Sequence, residues 1–526
     1  MRLRALLALA AGLLLLAAFP PVGWWWTAPL GLAALLRAVD GLGLRQAWLV
    51  AALVHLVLFL PLLEWVRFLG VGPWLALAVL QAAVAGLLGP VAVLVARGAG
   101  ARTALRLAGL LGAVVAVEAL RARAPFGGLT WGRLGFGQSD GPLLAWAALG
   151  GAPLLAAVVT VVALGLLEAS RRRLRLAVPL LVLPFAGALV VPLPVDGPRL
   201  QVAAVQGNVP RAGVEAFAED LVVLDNHLRQ TERLAAEVAT GDRPRPDLVV
   251  WPENASDQDP RSEPQSRARV DAAVDVLGQP FLLGAVLRDG TDRISNGLLV
   301  WGRSGVQGPV YRKKHLVPFG EYLPLRALAE RVYPAAKTLL ARDFSPGERV
   351  GVVPLNGVPL AVGTCFEVAF DDLPREAVRA GGQLLVLPSN NASYGRSAQS
   401  AQQLAMARLR AVEHGRSTVV ATTSGISALI RPDGEVVAQS GLYEPALLQA
   451  ALPRRTDLTV ATRWGGAVEA ALVALLLLPL AARCLGRGRP AGGCTAPGGS
   501  RRLRRPAAAA AGCTRGVAGL AQLRRR

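Results

Sequence analysis

Pro359-Leu-Ala-Val-Gly-Thr-Cys-Phe-Glu367 is a short apolar run that closes on a thiol. Two other runs carry polar groups in the same way. Asp247-Leu-Val-Val-Trp-Pro-Glu253 closes on a carboxylate, and Val310-Tyr-Arg-Lys-Lys-His-Leu-Val-Pro-Phe-Gly-Glu321 carries an ammonium at Lys313. A thiol, a carboxylate and an ammonium at strand ends are the parts of a cysteine acyl-transfer site. Further strand-like runs lie at Leu200–Gln206, Leu248–Trp251, Phe281–Val286, Gly297–Trp301, Pro359–Thr364, Leu384–Pro388, Thr418–Thr422 and Ala428–Arg431. Leu221–Val238 and Ala398–His414 place apolar residues at helical spacing. Strands alternating with helices predict a layered α/β fold.

This block is flanked by a different kind of sequence. The 526 residues are 53% apolar and 17% charged, a membrane protein's composition. Residues 1–195 are dominated by Leu, Ala and Val, and residues 466–482 are apolar again. A span needs roughly 20 apolar residues. That length predicts spans near 4–20, 24–38, 46–63, 73–96, 103–121, 142–167 and 174–194, and an eighth near 465–483. The first does not read as a signal peptide, because Phe19-Pro-Pro-Val-Gly-Trp-Trp-Trp26 after it resembles an interfacial aromatic turn, not a cleavage site.

The net charge of +20 is mostly arginine in the membrane gaps and the tail, which points to orientation and away from nucleic acid. Arg2, Arg4, Arg37, Arg45, Arg97, Arg102, Arg106, Arg171, Arg172, Arg173 and Arg175 fall on one side if the N-terminus is cytoplasmic. Seven spans then put 196–460 outside the cytoplasm as one catalytic domain. A last span, 464–484, returns the chain, and 485–526 is a basic, disordered cytoplasmic tail. One gap breaks the charge pattern. Arg121, Arg123 and Arg133 lie in a loop expected outside, where they are either ordinary interfacial residues or contacts for lipid phosphates near the active-site mouth. The lysines are Lys313, Lys314 and Lys337, and the cysteines are Cys365, Cys484, Cys494 and Cys513. Only Cys365 lies in the hydrophilic block, so that block has no internal disulfide and its lone thiol is a candidate nucleophile. No metal-ligand spacing, phosphate loop or dinucleotide fingerprint is present, and no cofactor is expected.

Gln206-Gly-Asn-Val-Pro210, Trp251-Pro-Glu253, Tyr311-Arg-Lys313, His315-Leu-Val-Pro-Phe-Gly-Glu321, Cys365-Phe-Glu367, Ser389-Asn-Asn-Ala392 and Arg410-Ala-Val-Glu-His-Gly-Arg416 together resemble the nitrilase superfamily. More narrowly they resemble its membrane branch, the apolipoprotein N-acyltransferases, over residues 1 to 480. The resemblance implies a four-layer α-β-β-α sandwich joined to a multi-span helical membrane domain. It departs from the family pattern at Phe366, where many members carry Tyr, at Asn390-Asn391, where Asn-Asp is common, and after Asn208, where Phe217 is the nearest aromatic to a frequent Trp.

The resemblance implies a catalytic set. Cys365 is the nucleophile, active as the thiolate. Glu253 is the general base, and the Lys313 ammonium faces the oxyanion. Glu321 positions the lysine or the base, Glu367 holds the nucleophile loop, and Phe366 supports the site. Phe217, Asn390 and Tyr394 are candidate substrate contacts. Segments Leu323–Ser345 and Ser389–Ala401 are candidate lids. The expected reaction moves an acyl chain from a membrane phospholipid onto Cys365, then to the α-amine of an S-diacylglyceryl cysteine at a lipoprotein N-terminus. A bacterial plasma membrane and a monomer are expected. Two other readings use the same residues: a membrane-tethered amidase or hydrolase with water as acceptor, and a catalytically silent lipid-binding scaffold.

Overall fold

A computed structural model describes residues 2–210, 221–290, 293–335, 337, 340, 342–479 and 481–482. Phe217 and the tail 485–526 lie outside the described residues. Helices α1 (Arg2–Ala17), α2 (Thr27–Val39), α3 (Leu44–Leu62), α4 (Val71–Ala85), α5 (Leu88–Ala99), α6 (Thr103–Arg121), α7 (Ala147–Ser170) and α8 (Leu174–Val190) come first. Then follow β1 (Arg199–Gln206), α9 (Val222–Ala239), β2 (Leu248–Val250), α10 (Pro264–Leu277), β3 (Phe281–Asp289), β4 (Arg293–Gly302), β5 (Gly305–Arg312) and α11 (Arg326–Val332). The rest are β6 (Val352–Leu355), β7 (Val358–Val362), α12 (Asp372–Arg379), β8 (Leu384–Ser389), α13 (Gln399–His414), β9 (Thr418–Thr422), β10 (Ala428–Ile430), β11 (Val436–Gln439), β12 (Ala446–Pro453) and α14 (Val460–Ala474).

Five described segments are long and apolar enough to cross a membrane: Leu44–Leu62, Val71–Ala99, Thr103–Arg121, Pro142–Ser170 and Val460–Pro479. Leu3–Ala17, Thr27–Val39 and Leu174–Val190 are apolar and shorter. Leu6, Leu75, Val79, Leu183 and Leu189 stand exposed on these helices, as side chains that meet hydrocarbon do. The last helix starts at Val460, ahead of the expected 464, because the Thr459 hydroxyl caps it by accepting from Thr462 N at 3.0 Å. Helix α7 is buried on nearly every side. It kinks at Gly150 and Gly151, the latter at φ +66°. A Cβ on Gly151 would sit 2.4 Å from Glu413 Oε1, so only glycine lets this helix touch α13.

The strands form two six-stranded sheets, ordered β12-β1-β2-β3-β4-β5 and β11-β10-β9-β8-β7-β6. In each sheet two parallel pairings at the centre give way to antiparallel pairings outside. Central strands β2 and β8 are buried along their whole length, which is why they read as continuous apolar runs. Alternate residues fill the seam between the sheets, among them Val202, Val250, Leu282, Leu360, Val386 and Val419. Each fully buried Val or Leu contributes about 1.5–3 kcal/mol. The outer face of the first sheet packs Val249, Trp251 and Phe281 under α9 and α10. The outer face of the second carries α12 and α13. The sandwich therefore has the expected four layers, α-β-β-α. Its last layer is continuous with the membrane helices: Met406, Leu409 and Val412 of α13 share one apolar core with Leu144, Ala152 and Leu155.

Candidate functional site

Glu253 follows the C-terminal end of β2, Lys313 that of β5, Cys365 that of β7, and Asn390 that of β8. Strand ends from both sheets, β2 and β5 of one and β7 of the other, thus bring the three groups to one edge of the sandwich. Glu253 and Lys313 are almost wholly buried, and Cys365 is 4% exposed. Lys313 Nζ donates to Glu253 Oε1 at 3.0 Å and to Glu321 Oε1 at 2.9 Å. Asn296, on β4, donates to Glu253 and, at 3.2 Å, to Glu321. The second oxygen of Glu253 accepts from Asn390 N at 2.8 Å, and that of Glu321 from Val317 N at 2.7 Å. The lysine and the base are therefore fixed by backbone and amide donors from three separate strands or loops.

Cys365 begins a single 3₁₀ turn, Cys365–Ala369, and adopts φ +46°. A left-handed conformation is strained for a residue with a side chain, and the surroundings must hold it. Glu367 does so from within. Its carboxylate accepts from Thr364 N at 2.7 Å in a capping box, from Tyr311 Oη at 2.9 Å, and from Lys314 N and His315 N at 2.8 and 3.0 Å. One side chain thereby ties the cysteine turn to the lysine loop. Arg410 does so from outside, donating to the carbonyls of Val368 and Ala369 at 2.8 and 2.9 Å.

Electrostatics sort the groups. Burial pushes the Cys365 thiol well up, helped by the charges of Glu253 and Glu321 and opposed by Lys313 and a hydrogen bond from Gln403. Burial also raises Glu253, with Glu321 adding to it and Lys313 pulling it back. Burial alone would discharge Lys313, but Glu253 and Glu321 outweigh it and hold the ammonium well above its ordinary range. The resting site is a neutral thiol beside a fixed cation and a carboxylate of raised basicity. Such a set can pass a proton from sulfur to oxygen and neutralise a developing oxyanion. Among the described residues no group of three or more His, Cys, Asp and Glu could hold a metal ion.

Aromatic side chains connect this edge to the membrane helices. Phe366 stacks on Trp131 at 6.4 Å, Trp131 meets Trp65 at 5.0 Å, and Trp65 meets Tyr394 edge-on at 5.2 Å. Phe68 closes the row against Tyr394 at 5.3 Å. Trp65 and Phe68 lie in the turn after α3, and Trp131 in the loop after α6. On the other flank of Phe366 a cleft of about 440 Å3 is bordered by Phe126, Lys314, His315, Tyr322, Phe344 and Phe370.

Comparison with known proteins agrees with this architecture. The apolipoprotein N-acyltransferase N-terminal domain family matches residues 11–165, and the carbon-nitrogen hydrolase family matches residues 201–458. A curated apolipoprotein N-acyltransferase from Mycolicibacterium smegmatis is 40% identical, covering 89% of this chain and 82% of its own. The chain belongs to the apolipoprotein N-acyltransferase family. Another member, from Photobacterium profundum, is 28% identical over 88% of this chain and 91% of its own. Among solved structures, an amidase of the nitrilase superfamily from Nesterenkonia AN1 aligns at 20% identity and a TM-score of 0.36, covering 50% of this chain and 93% of that one.

Within this family member, the structure brings Glu253, Lys313, Cys365, Glu321, Glu367 and Phe366 together. Asn390 also reaches the site, but through its backbone, since its side chain accepts from Thr423 Oγ1 at 3.0 Å. Tyr394 lies in the aromatic row. Of the loop arginines, Arg121 and Arg133 are buried and out of reach of lipid phosphates, whereas the Arg123 side chain is 62% exposed. Arg121 is buried, donates to the carbonyls of Leu129 and Trp131, and lies over Phe59. Arg133 is 1% exposed and reaches Asp371 at 2.5 Å and Glu469 at 3.3 Å. Arg123 also pairs with Glu469. Because Asp371 pairs with Arg410 as well, at 2.9 Å, the membrane loop is ionically clamped to the residue that grips the cysteine turn. Burial would raise Asp371, yet Arg133 and Arg410 hold its carboxyl well below the usual range. Among the described residues no histidine ring is hydrogen-bonded to Cys365: His315 packs on Phe370 and His414 bonds Thr462.

Asn296, Gln403, Trp65 and Trp131 were not among the expected site residues. Asn296 carried one signal, a buried amide inside the apolar strand Ile294-Ser-Asn-Gly-Leu-Leu-Val300, since a buried polar group needs partners.

Proposed function

We propose that this chain, a multi-pass membrane acyltransferase, moves an acyl chain from a phospholipid to the N-terminal α-amine of an S-diacylglyceryl cysteine in a lipoprotein, through a thioester on Cys365. The observation that carries the reading is the buried Lys313 shared by Glu253 and Glu321 beside the strained Cys365 turn, on a domain cored into membrane helices. Glu253 takes the thiol proton, and the thiolate attacks the ester carbonyl. The tetrahedral oxyanion forms against the Lys313 ammonium. Its collapse expels the lysophospholipid alkoxide, which leaves as the alcohol with the proton from Glu253. The incoming amine then attacks the thioester, gives its proton to Glu253, and expels the thiolate, which recovers that proton. Neutral Glu253 is therefore the proton carrier in both halves, a task suited to its raised basicity.

The aromatic row from Phe366 to Phe68 supports acyl entry from the membrane side. It is apolar, and water kept away from a thioester cannot hydrolyse it. The arginine-rich helix ends support a reading with the N-terminus in the cytoplasm and residues 196–460 outside a bacterial plasma membrane. The protein acts as a monomer.

Incubation with phospholipid alone tests the order of steps. It should add one acyl mass to the peptide bearing Cys365, and Cys365→Ala should abolish this. Acyl label appearing only when a lipoprotein is present would overturn the ping-pong order. Free fatty acid as the main product would instead identify a hydrolase.

A further inference from the structure

The end of the helix bundle remote from Cys365 holds an unexplained pocket of about 270 Å3. Its walls are apolar: Leu36 and Val39 of α2, Ala92 and Val93 of α5, Leu110 of α6 and Leu167 of α7. Its mouth is ionic, with Asp40, Arg97 and Arg106. Arg106 opens α6 and Arg121 ends it, so the helical rise separates this mouth from the active-site side by about 20 Å.

The charges at the mouth do not balance. Asp40 accepts from Arg106 at 3.0 Å and Arg171 at 2.9 Å, and its carbonyl accepts from Arg4 at 3.3 Å. Glu168 pairs with Arg171 at 2.6 Å and Arg173 at 3.3 Å. The two carboxylates of Asp40 and Glu168 thus pair with three guanidinium groups, Arg106, Arg171 and Arg173, while Arg4 reaches the Asp40 carbonyl. Arg97 is exposed and has no carboxylate partner among the described residues. Arg106 Nε is buried without a hydrogen-bond partner, the kind of unpaired donor that costs free energy unless a ligand meets it.

We propose that this pocket is a second lipid site, which takes one acyl chain of an anionic phospholipid between α2, α5, α6 and α7 and holds its phosphate on Arg97 and Arg106. Excess positive charge selects the anionic headgroup, as basic pockets between membrane helices do. The apolar walls select a chain-bearing ligand over a free anion. The site is separate from the acyl-transfer edge and does not depend on that reaction.

The test uses the full chain in nanodiscs and measures thermal unfolding and lipid retained in native mass spectra. Phosphatidylglycerol should raise Tm above phosphatidylcholine, and a bound phosphatidylglycerol should survive transfer to detergent. At about 1 kcal/mol per basic residue, Arg97→Gln with Arg106→Gln should weaken retention about thirtyfold. Ala96→Phe, at the half-buried pocket mouth, should do likewise with every charge kept. Equal Tm in both lipids, or retention that survives Ala96→Phe, would overturn the proposal, the latter by showing diffuse surface attraction. Inorganic phosphate reproducing the Tm rise would also overturn it, in favour of a free-anion site. Loss of acyl transfer in Cys365→Ala leaves both readouts untouched, so the two proposals fail separately.

Discussion

Glu321→Gln should move the acid limb of the acylation pH profile downward. Glu253 and Glu321 each contact Lys313 Nζ within 3.0 Å, so the bonded oxygens are no more than about 6 Å apart. At that separation and an effective dielectric of about 20, two negative charges repel by about 3 kcal/mol, or about 2 pH units. Glu321 is 13% exposed, and solvent trims the effect to about 1–2 units. The sign follows from the raised state of Glu253. Removing a like charge makes its proton easier to lose, so the base form persists to lower pH. A weaker base also transfers protons less well, and the plateau rate should fall about threefold to tenfold. Glutamine keeps an oxygen for Val317 N, so the loop is retained. The assay is single-turnover acylation, quenched and read as the mass of the Cys365 peptide, from roughly pH 5 to 9 around the thiol's ordinary range. An acid limb that stays in place or moves upward would refute the electrostatic coupling of the two carboxylates.

Lys313→Met should slow acylation by about 10²–10³ at every pH, because no external base replaces a fixed cation at the oxyanion. Glu253→Gln should instead be partly rescued at high pH, where more thiol ionises unaided. Gly284→Ala should lose activity with every catalytic side chain intact, since its Cβ would sit 2.2 Å from the Pro252 carbonyl oxygen and 2.7 Å from Glu253 Cα. Thermal melts should show Arg133→Met destabilised by about 3–5 kcal/mol, the cost of leaving buried carboxylates short of a partner, with partial recovery in Arg133→Lys. Reporters inserted at Arg172 and after Val195, on either side of α8, should read cytoplasmic and extracytoplasmic respectively.

The α/β character of the hydrophilic block and the apolar helices were legible because each leaves a local mark, whereas the four-layer sandwich came only from the family resemblance. Strands β2 and β8 are buried on both faces, so they appear as unbroken apolar runs, and helices meeting lipid are apolar all round. Strands β5, β6, β11 and β12 escaped notice. Gly305-Val-Gln-Gly-Pro-Val-Tyr-Arg312 mixes Gly, Pro and Gln and so imitates a loop, while β11 and β12 are half-buried edge strands whose sequences show no apolar–polar alternation. Long-range pairing was invisible for a different reason. Arg133 meets partners 238 and 336 residues away, and a loop arginine between spans looks solvated until those carboxylates arrive. The convergence of Trp65 and Trp131 on Tyr394 and Phe366 likewise joins segments that carry no shared periodicity.

The pairing of β1 with β12, from Arg199 opposite Pro453 to Gln206 opposite Ala446, constrains how the molecule can be made. The first strand of the sandwich waits for the last. Until Ala446–Pro453 has been synthesised, β1 keeps one bare edge, and a bare edge is where strands from neighbouring chains attach. Helix α14, which follows within a few residues, then packs against α6 and α7. Ribosome stalling or truncation anywhere within residues 199–445 therefore leaves both an open sheet and an incomplete helix bundle. Quality-control proteases that survey nascent membrane proteins would meet both defects in the same molecule.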